Sequence, residues 1–341
     1  LMFLDTSINM AMQPFKMMVG DMVNEKQKGL AYSIQSFLCN AGSLVGFLFP
    51  FIFTWIGISN IAPQGVVPDS VIYSFYIGAA ILILCVIYTT VKVKEMPPAE
   101  YAEYHGITEE EKKEKINMVK LLVKAPKAFW TVGLVQFFCW FAFMFMWTYT
   151  NGSVAANVFD APTVETVVNG ANKVVLDTKS IQYQNAADWV GVLFAVQAIG
   201  SVLWAVCIPM FKNRKLIYSL SLVLGGIGFI STYFVHNQYV LFISFLLIGC
   251  AWAAMLALPF TILTNALSGG HMGTYLGLFN GTICIPQIVA ATLGGSILAL
   301  FTPKGMLPPE INMLVMAGVM LIIGAVCVYL IKETKGEQAK A

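Results

Sequence analysis

Charge is what this sequence lacks most. Asp, Glu, Lys and Arg make up 11% of its 341 residues, against roughly a quarter in a soluble domain. A water-soluble globular domain is excluded on that ground. Catalytic signatures are missing too: there is no His-Glu-x-x-His, no Gly-x-Ser-x-Gly and no paired acidic cluster, so an intramembrane enzyme has nothing to work with. His271, in a short turn, has no neighbouring His or Cys to share a metal. The seven cysteines (39, 85, 139, 207, 250, 284, 327) sit inside apolar runs without a Cys-x-x-Cys spacing. They read as core filler, with no disulfide framework, metal site or cofactor. A net charge of +2 is too small to attract nucleic acid.

What remains is apolar and arranged in long runs. Hydrophobic residues make up 58% of the chain and the mean hydropathy is +0.74. Nine spans of membrane length can be drawn, at 1–23, 29–56, 70–93, 128–150, 187–211, 216–235, 238–264, 273–300 and 311–332. Each is near the ~20 residues that a bilayer core requires. Pro14, Pro50, Pro209, Pro259 and Pro286 fall within them, which membrane helices tolerate. The expected class is therefore an all-α polytopic membrane protein. Leu1 opens inside an apolar run with no charged leader, which reads as a cut and not as a signal peptide.

Basic residues set the orientation. If the end after Val23 is cytoplasmic, the inside segments with Lys92 hold 16 of the 20 Lys and Arg, and the outside segments hold three, Lys173, Lys179 and Lys304. The first span then runs outside to inside, and the C-terminus is cytoplasmic. Thr108 and Glu111 make a capping box in the charged segment 94–127, opening a helix whose stripe is Ile116, Val119, Leu122 and Val123. Such a helix lies on the cytoplasmic interface. It divides three spans (1–93) from six (128–332), with 333–341 as a tail. The outer stretch 151–186 reads as an exposed loop, with a hairpin about Asn169-Gly170.

One span is unlike the others. Asp5, Asn9, Gln13 and Lys16 fall within about 80° of one another on a helix, opposite Pro14. Polar and ionisable groups inside a bilayer face a bundle interior or a water-filled path, and mark a substrate or ion route. A lone carboxyl there is desolvated and prone to hold a proton, which makes Asp5 the candidate coupling acid. Its alternative is a structural acid paired elsewhere. Lys16 lies roughly 16 Å further along the axis, so it does not pair with Asp5. Lys16 is a gate ion pair or a snorkelling base, and Asp21 a gate or loop contact.

Asn9, Gln35, Asn40, Asn280 and Gln287 are neutral amides of the kind that bind sugar hydroxyls, or that glue helices together. Trp140 and Trp252 are candidates to stack on a sugar face, the alternative being an interfacial belt. Gly42-x-x-x-Gly46 is read as a close helix-packing site. There is also an internal repeat. Pro14-Phe15, Gly29, Tyr32, Gln35 and Asn40 recur as Pro259-Phe260, Gly273, Tyr275, Asn280 and Gln287, about 245 residues on. Same-orientation repetition every six helices is the parallel repeat of a twelve-helix transporter. On that count three helices precede Leu1.

These residues resemble a family. Leu4-Asp5, Asn9, Pro14, Lys16 and Asp21 resemble the fourth helix of the sucrose/proton symporters of the major facilitator superfamily. Asn40-Ala41-Gly42 with Gly46 is similar to their fifth. Leu276 to Val289, LGLFNGTICIPQIV, resembles the eleventh; Trp252, Pro259 and Phe260 the tenth; Trp140-Phe141 the start of the seventh. The resemblance implies a two-half bundle with nine helices present of twelve, and a monomer in a plasma or bacterial inner membrane. It implies sugar and proton symport by alternating access, coupled through Asp5. Trp147-Thr-Tyr-Thr150 stands where plant members carry acids, and Lys16 replaces an arginine, so the sugar need not be sucrose. Sodium coupling, another small solute, or a non-transporting receptor are the alternatives. Lacking three helices, this chain alone is expected not to transport.

Overall fold

The structure, a computed structural model, describes residues 7, 8, 10–12, 14, 15, 18, 19, 22–24, 27–58, 67, 69–94, 97, 100, 103, 118–168, 171–267, 272–303 and 305–331. The helices are α1 (Lys28–Trp55), α2 (Asp69–Lys92), α3 (Met118–Val123), α4 (Lys127–Asn157), α5 (Ile181–Cys207), α6 (Arg214–Ser231), α7 (Leu241–Ala266), α8 (Met272–Phe279), α9 (Gly281–Phe301) and α10 (Ile311–Cys327). Among the described residues seven spans are long and apolar enough to cross a bilayer, with α8 and α9 sharing one. At 28 residues, α1 has the length of an eighth. The expected span 1–23 has only scattered residues described, so the count of nine is not established.

Helix α4 is the post around which the C-terminal six spans pack. It is apolar on every side and buried on almost every side, from Phe129 to Ala155, as befits a bundle centre. Helices α7, α9 and α10 contact it, and α5 and α6 close the ring through α7 and α10. Small residues set the closest crossings. A Cβ at Gly200 on α5 would fall 2.5 Å from the Leu246 carbonyl oxygen on α7, and one at Gly226 on α6 would fall 2.9 Å from the Gly318 carbonyl oxygen on α10. Without side chains at these points the backbones touch, which is how helices associate where no hydrophobic gradient drives them.

Several polar side chains bridge neighbouring helices. Trp204 Nε1 donates to Ser221 Oγ at 2.8 Å, Ser219 Oγ to the Ala325 carbonyl at 3.1 Å, and Ser231 and Ser244 hydroxyls meet at 2.8 Å. Helix α1 lies outside this ring against α5 and α7, with Phe47 5.9 Å from Phe194 and Tyr32 stacked 6.2 Å from Phe260. Helix α2 touches α1 and is otherwise exposed along its apolar length.

Three expectations are corrected. The span drawn at 128–150 continues two turns to Asn157, and the next begins at Ile181 instead of 187. The segment reads as loop because it is polar. In the helix, however, Thr150, Ser153 and Asn157 return their side-chain donors to the carbonyls of Met146, Tyr149 and Ser153, so these three donors are not stranded. Between the two helices lies the hairpin. Strand β1 (Thr163–Val168) pairs antiparallel with β2 (Ala171–Leu176) in the register Thr163↔Leu176 to Val168↔Ala171, the two-residue connection that Asn-Gly favours.

Second, among the described residues Gly42 and Gly46 do not pack against a helix: a Cβ at either would meet nothing within 4 Å. Their spacing puts them on one face of α1, which no described residue covers at these two positions. Third, Cys39 and Cys85 are exposed on α1 and α2, so they fill no core; Cys139 and Cys250 are buried. Of the linker helix, Met118–Val123 is described. It docks where Tyr275 OH donates to the Leu121 carbonyl at 3.3 Å. Thr108, Glu111 and Ile116 lie outside the described residues.

Candidate functional site

Four aromatic side chains converge at mid-height of the bundle. Trp140, Phe143 and Trp147 follow one another at helical spacing on α4, and Trp252 reaches them from α7. Trp252 lies 5.8 Å from Trp140 at 76°, 5.8 Å from Trp147 at 83° and 4.8 Å from Phe143 at 55°. These edge-to-face arrangements are ones that ring quadrupoles favour. Trp140 is buried, and its Nε1–H has no hydrogen-bond partner. The cluster is thus not an interfacial belt.

One turn towards the N-terminal end of α4 lies Gln136, fully buried. Its Nε2 donates to the Met255 carbonyl of α7 at 3.0 Å, and its Oε1 has no partner. The same face of α4 therefore carries an unfilled donor and an unfilled acceptor beside the rings. Buried polar atoms are almost always paired with protein or water, so both atoms are open to a further hydrogen bond.

Other predicted residues gather at this height from different helices. On α1, Ser36 Oγ donates to the Ala253 carbonyl at 3.4 Å, which sets Gln35, Ser36 and Asn40 beside α7 next to Trp252. Asn40 is buried, its Nδ2 donates to the Ser36 carbonyl at 2.6 Å, and its Oδ1 is unpartnered. Gln35 is half-buried and donates to the Phe15 carbonyl at 3.4 Å. On α9, Thr282 lies against Gly133 and Gly294 against Tyr149, so half-buried Gln287 falls between them near the level of Trp140.

Asn280 sits about two turns before Gln287 and separates α8 from α9. Its N–H is shared between the Leu276 and Gly277 carbonyls at 3.3 and 3.2 Å, and its Oδ1 is buried without a partner. Asp5, Asn9, Lys16, Asp21 and His271 lie outside the described residues. The structure thus brings Trp140 and Trp252 into contact, places Gln35 and Gln287 on neighbouring helices, and sets Asn280 apart.

The residue that sequence reading missed is Gln136. A lone amide in the run TVGLVQFFCW is itself a flag for an interhelical contact. Its partner was hidden because a carbonyl carries no sequence signal. The signal available was Pro259, which removes a backbone donor one turn after Met255.

A helical bundle with a neutral polar and aromatic centre, reached from several helices, is the architecture of a membrane transporter. The sequence profile of the Major Facilitator Superfamily matches residues 7–176 and residues 155–341. The chain belongs to that superfamily: it is an integral membrane protein and a secondary transporter. No curated protein matches it closely enough to report.

Proposed function

We propose that the chain is the working part of a sugar and proton symporter, taking a disaccharide or other glucoside, with Asp5 as the coupling acid. The observation that carries the substrate class is the chemistry of the centre. Trp140, Trp147 and Trp252 offer ring faces, Trp140 Nε1–H and the Asn40 amide oxygen are unfilled, and α4, α7, α9 and α10 carry no charged side chain between Ala128 and Asn157, Leu241 and Ala266, Gly281 and Phe301, or Ile311 and Cys327. A charged solute would find no counter-charge on these helices. A polyhydroxylated neutral one finds donors, acceptors and apolar ring surface together.

The coupling side of the reading rests on the polar stripe of 1–23. An ionised carboxyl in a desolvated path is costly, so protonation of Asp5 lowers the barrier to occlusion. Alternating access then follows from rocking of the half 1–93 against the half 128–332 around the site, with 94–127 as the cytoplasmic connection. Lys16 and Asp21 act as gate contacts, and Asn9, Gln35, Asn280 and Gln287 as hydroxyl ligands. The protein works as a monomer in the plasma or bacterial inner membrane, its C-terminus cytoplasmic.

Counterflow in proteoliposomes, run with the chain alone and with three further helices placed before Leu1, tests the substrate class in whichever form transports. Labelled sucrose or maltose should accumulate against unlabelled sugar loaded inside, while amino acids and organic anions give no exchange. Exchange of a charged solute with no sugar exchange overturns the reading.

A further inference from the structure

In an α-helix the N–H of residue i donates to the carbonyl of residue i−4. At position 259 of α7 the residue is proline, which has no N–H, and the carbonyl it leaves without its helical donor is that of Met255. This is the carbonyl that Gln136 of α4 reaches, with Nε2 at 3.0 Å and both partners fully buried. The amide orientation follows from the contact, because only the NH₂ end can donate to a carbonyl.

Met255 lies three residues after Trp252 and four before Pro259, so the bond falls between the ring cluster and the proline. On the α4 side Gln136 precedes Trp140 by one turn. Two successive points therefore pin the helices together: amide to carbonyl, then ring to ring, with Trp252 at 5.8 Å from Trp140.

We propose that Gln136 is a positioning residue for transport: its side-chain amide replaces the backbone donor that Pro259 lacks, and so holds α7 in the register that sets Trp252 against Trp140 and Trp147. A helix interrupted by proline is free to slide or swing at that point unless the orphaned carbonyl is held. Gln136 holds it from the neighbouring helix and not from within α7. The bond ties the one break in α7 to the face of α4 that carries the cluster. Only the transport consequence rests on the reading of that cluster as the sugar platform.

The test is a double-mutant cycle on the full chain, Gln136→Leu and Pro259→Ala, singly and together. Alanine at 259 restores the backbone donor to Met255, so the loss of Gln136 should matter only when proline is present. Gln136→Leu alone should lower the unfolding midpoint in detergent by roughly 1–4 °C, the scale of one stranded buried carbonyl in a chain of this length. It should also weaken the near-ultraviolet circular dichroism of the coupled tryptophans. With Pro259→Ala both losses should fall by more than half.

Equal losses in the two backgrounds overturn the proposal, because Gln136 would then act elsewhere than on the Met255 carbonyl. A restored midpoint with an unrestored tryptophan signal overturns the positioning of Trp252. Sucrose and maltose uptake supplies the third readout: about tenfold higher half-saturation in Gln136→Leu, at unchanged maximal rate per folded molecule, and recovery in the double variant. A fall in maximal rate alone contradicts it. Passing the midpoint and dichroism cycles while wild type takes up neither sugar retires the substrate reading and leaves the brace in place.

Discussion

Trp252 of α7 presents its ring to Trp140 of α4 at 5.8 Å with the planes 76° apart, and no hydrogen bond holds the Trp140 Nε1–H. The pair joins two helices that run in opposite directions, at a height where α1 also approaches through Ser36 and Ala253. A buried donor left open costs about 1–3 kcal/mol.

Trp140→Phe removes the donor and keeps a ring. If a sugar oxygen accepts from Nε1–H, the half-saturation for sugar should rise about tenfold, equivalent to roughly 1.4 kcal/mol, while the purified protein becomes no less stable. Uptake kinetics beside thermal unfolding check both parts. Unchanged kinetics would leave Trp140 as packing only.

The glycines of the bundle are predicted to split into two groups. Gly200→Ala forces a methyl to within 2.5 Å of the Leu246 carbonyl oxygen and should cost about 1–3 kcal/mol, as overpacking does. Gly42→Ala and Gly46→Ala add methyls to open space and should be neutral or gain up to ~1 kcal/mol of helix propensity. Unfolding midpoints of the three variants, compared side by side, decide this. A destabilised Gly42→Ala would show that a further helix covers that face.

Glu310, just outside the Ile311–Leu330 span, is half-buried with its carboxyl against Gly152 of α4. Burial pushes its pKa from the ordinary 4.5 up to about 7. The folded state therefore binds this proton more tightly than the unfolded chain. Its contribution is fully present below about pH 4.5 and is lost as pH rises through about 7. The loss is on the order of 3 kcal/mol. The wild type should thus lose unfolding midpoint over this window relative to Glu310→Gln, and the two should run parallel above pH 8. A pH-independent difference would show that the carboxyl is solvated.

Much of this architecture was legible in the sequence because bilayer physics writes it plainly. Apolar runs of span length gave the helices from 69 onwards, and Asn169-Gly170 announced the hairpin. Trp140 and Trp252 were legible as candidates for sugar contact, though not as a pair that touch each other. What failed did so for identifiable reasons. Polarity after Thr150 reads as loop, yet side chains that bond their own helix's carbonyls let a helix continue through it. Gly-x-x-x-Gly specifies a face of α1 and says nothing about whether a partner lies on it. The Gln136 contact runs to a backbone carbonyl, so no side-chain pattern could have named its partner. Asp5, Asn9, Lys16 and Asp21 fall outside the described residues, and their roles stand on the sequence and on the transport experiments.

The coupling claim is tested most directly by following external pH when sucrose or maltose is added to energised cells that make the protein, with Asp5→Asn beside it. The account predicts a sugar-triggered alkalinisation in the wild type that disappears in Asp5→Asn, while sugar counterflow, which needs no net proton movement, persists. Sugar uptake without any pH change, or an equal alkalinisation in Asp5→Asn, would contradict it.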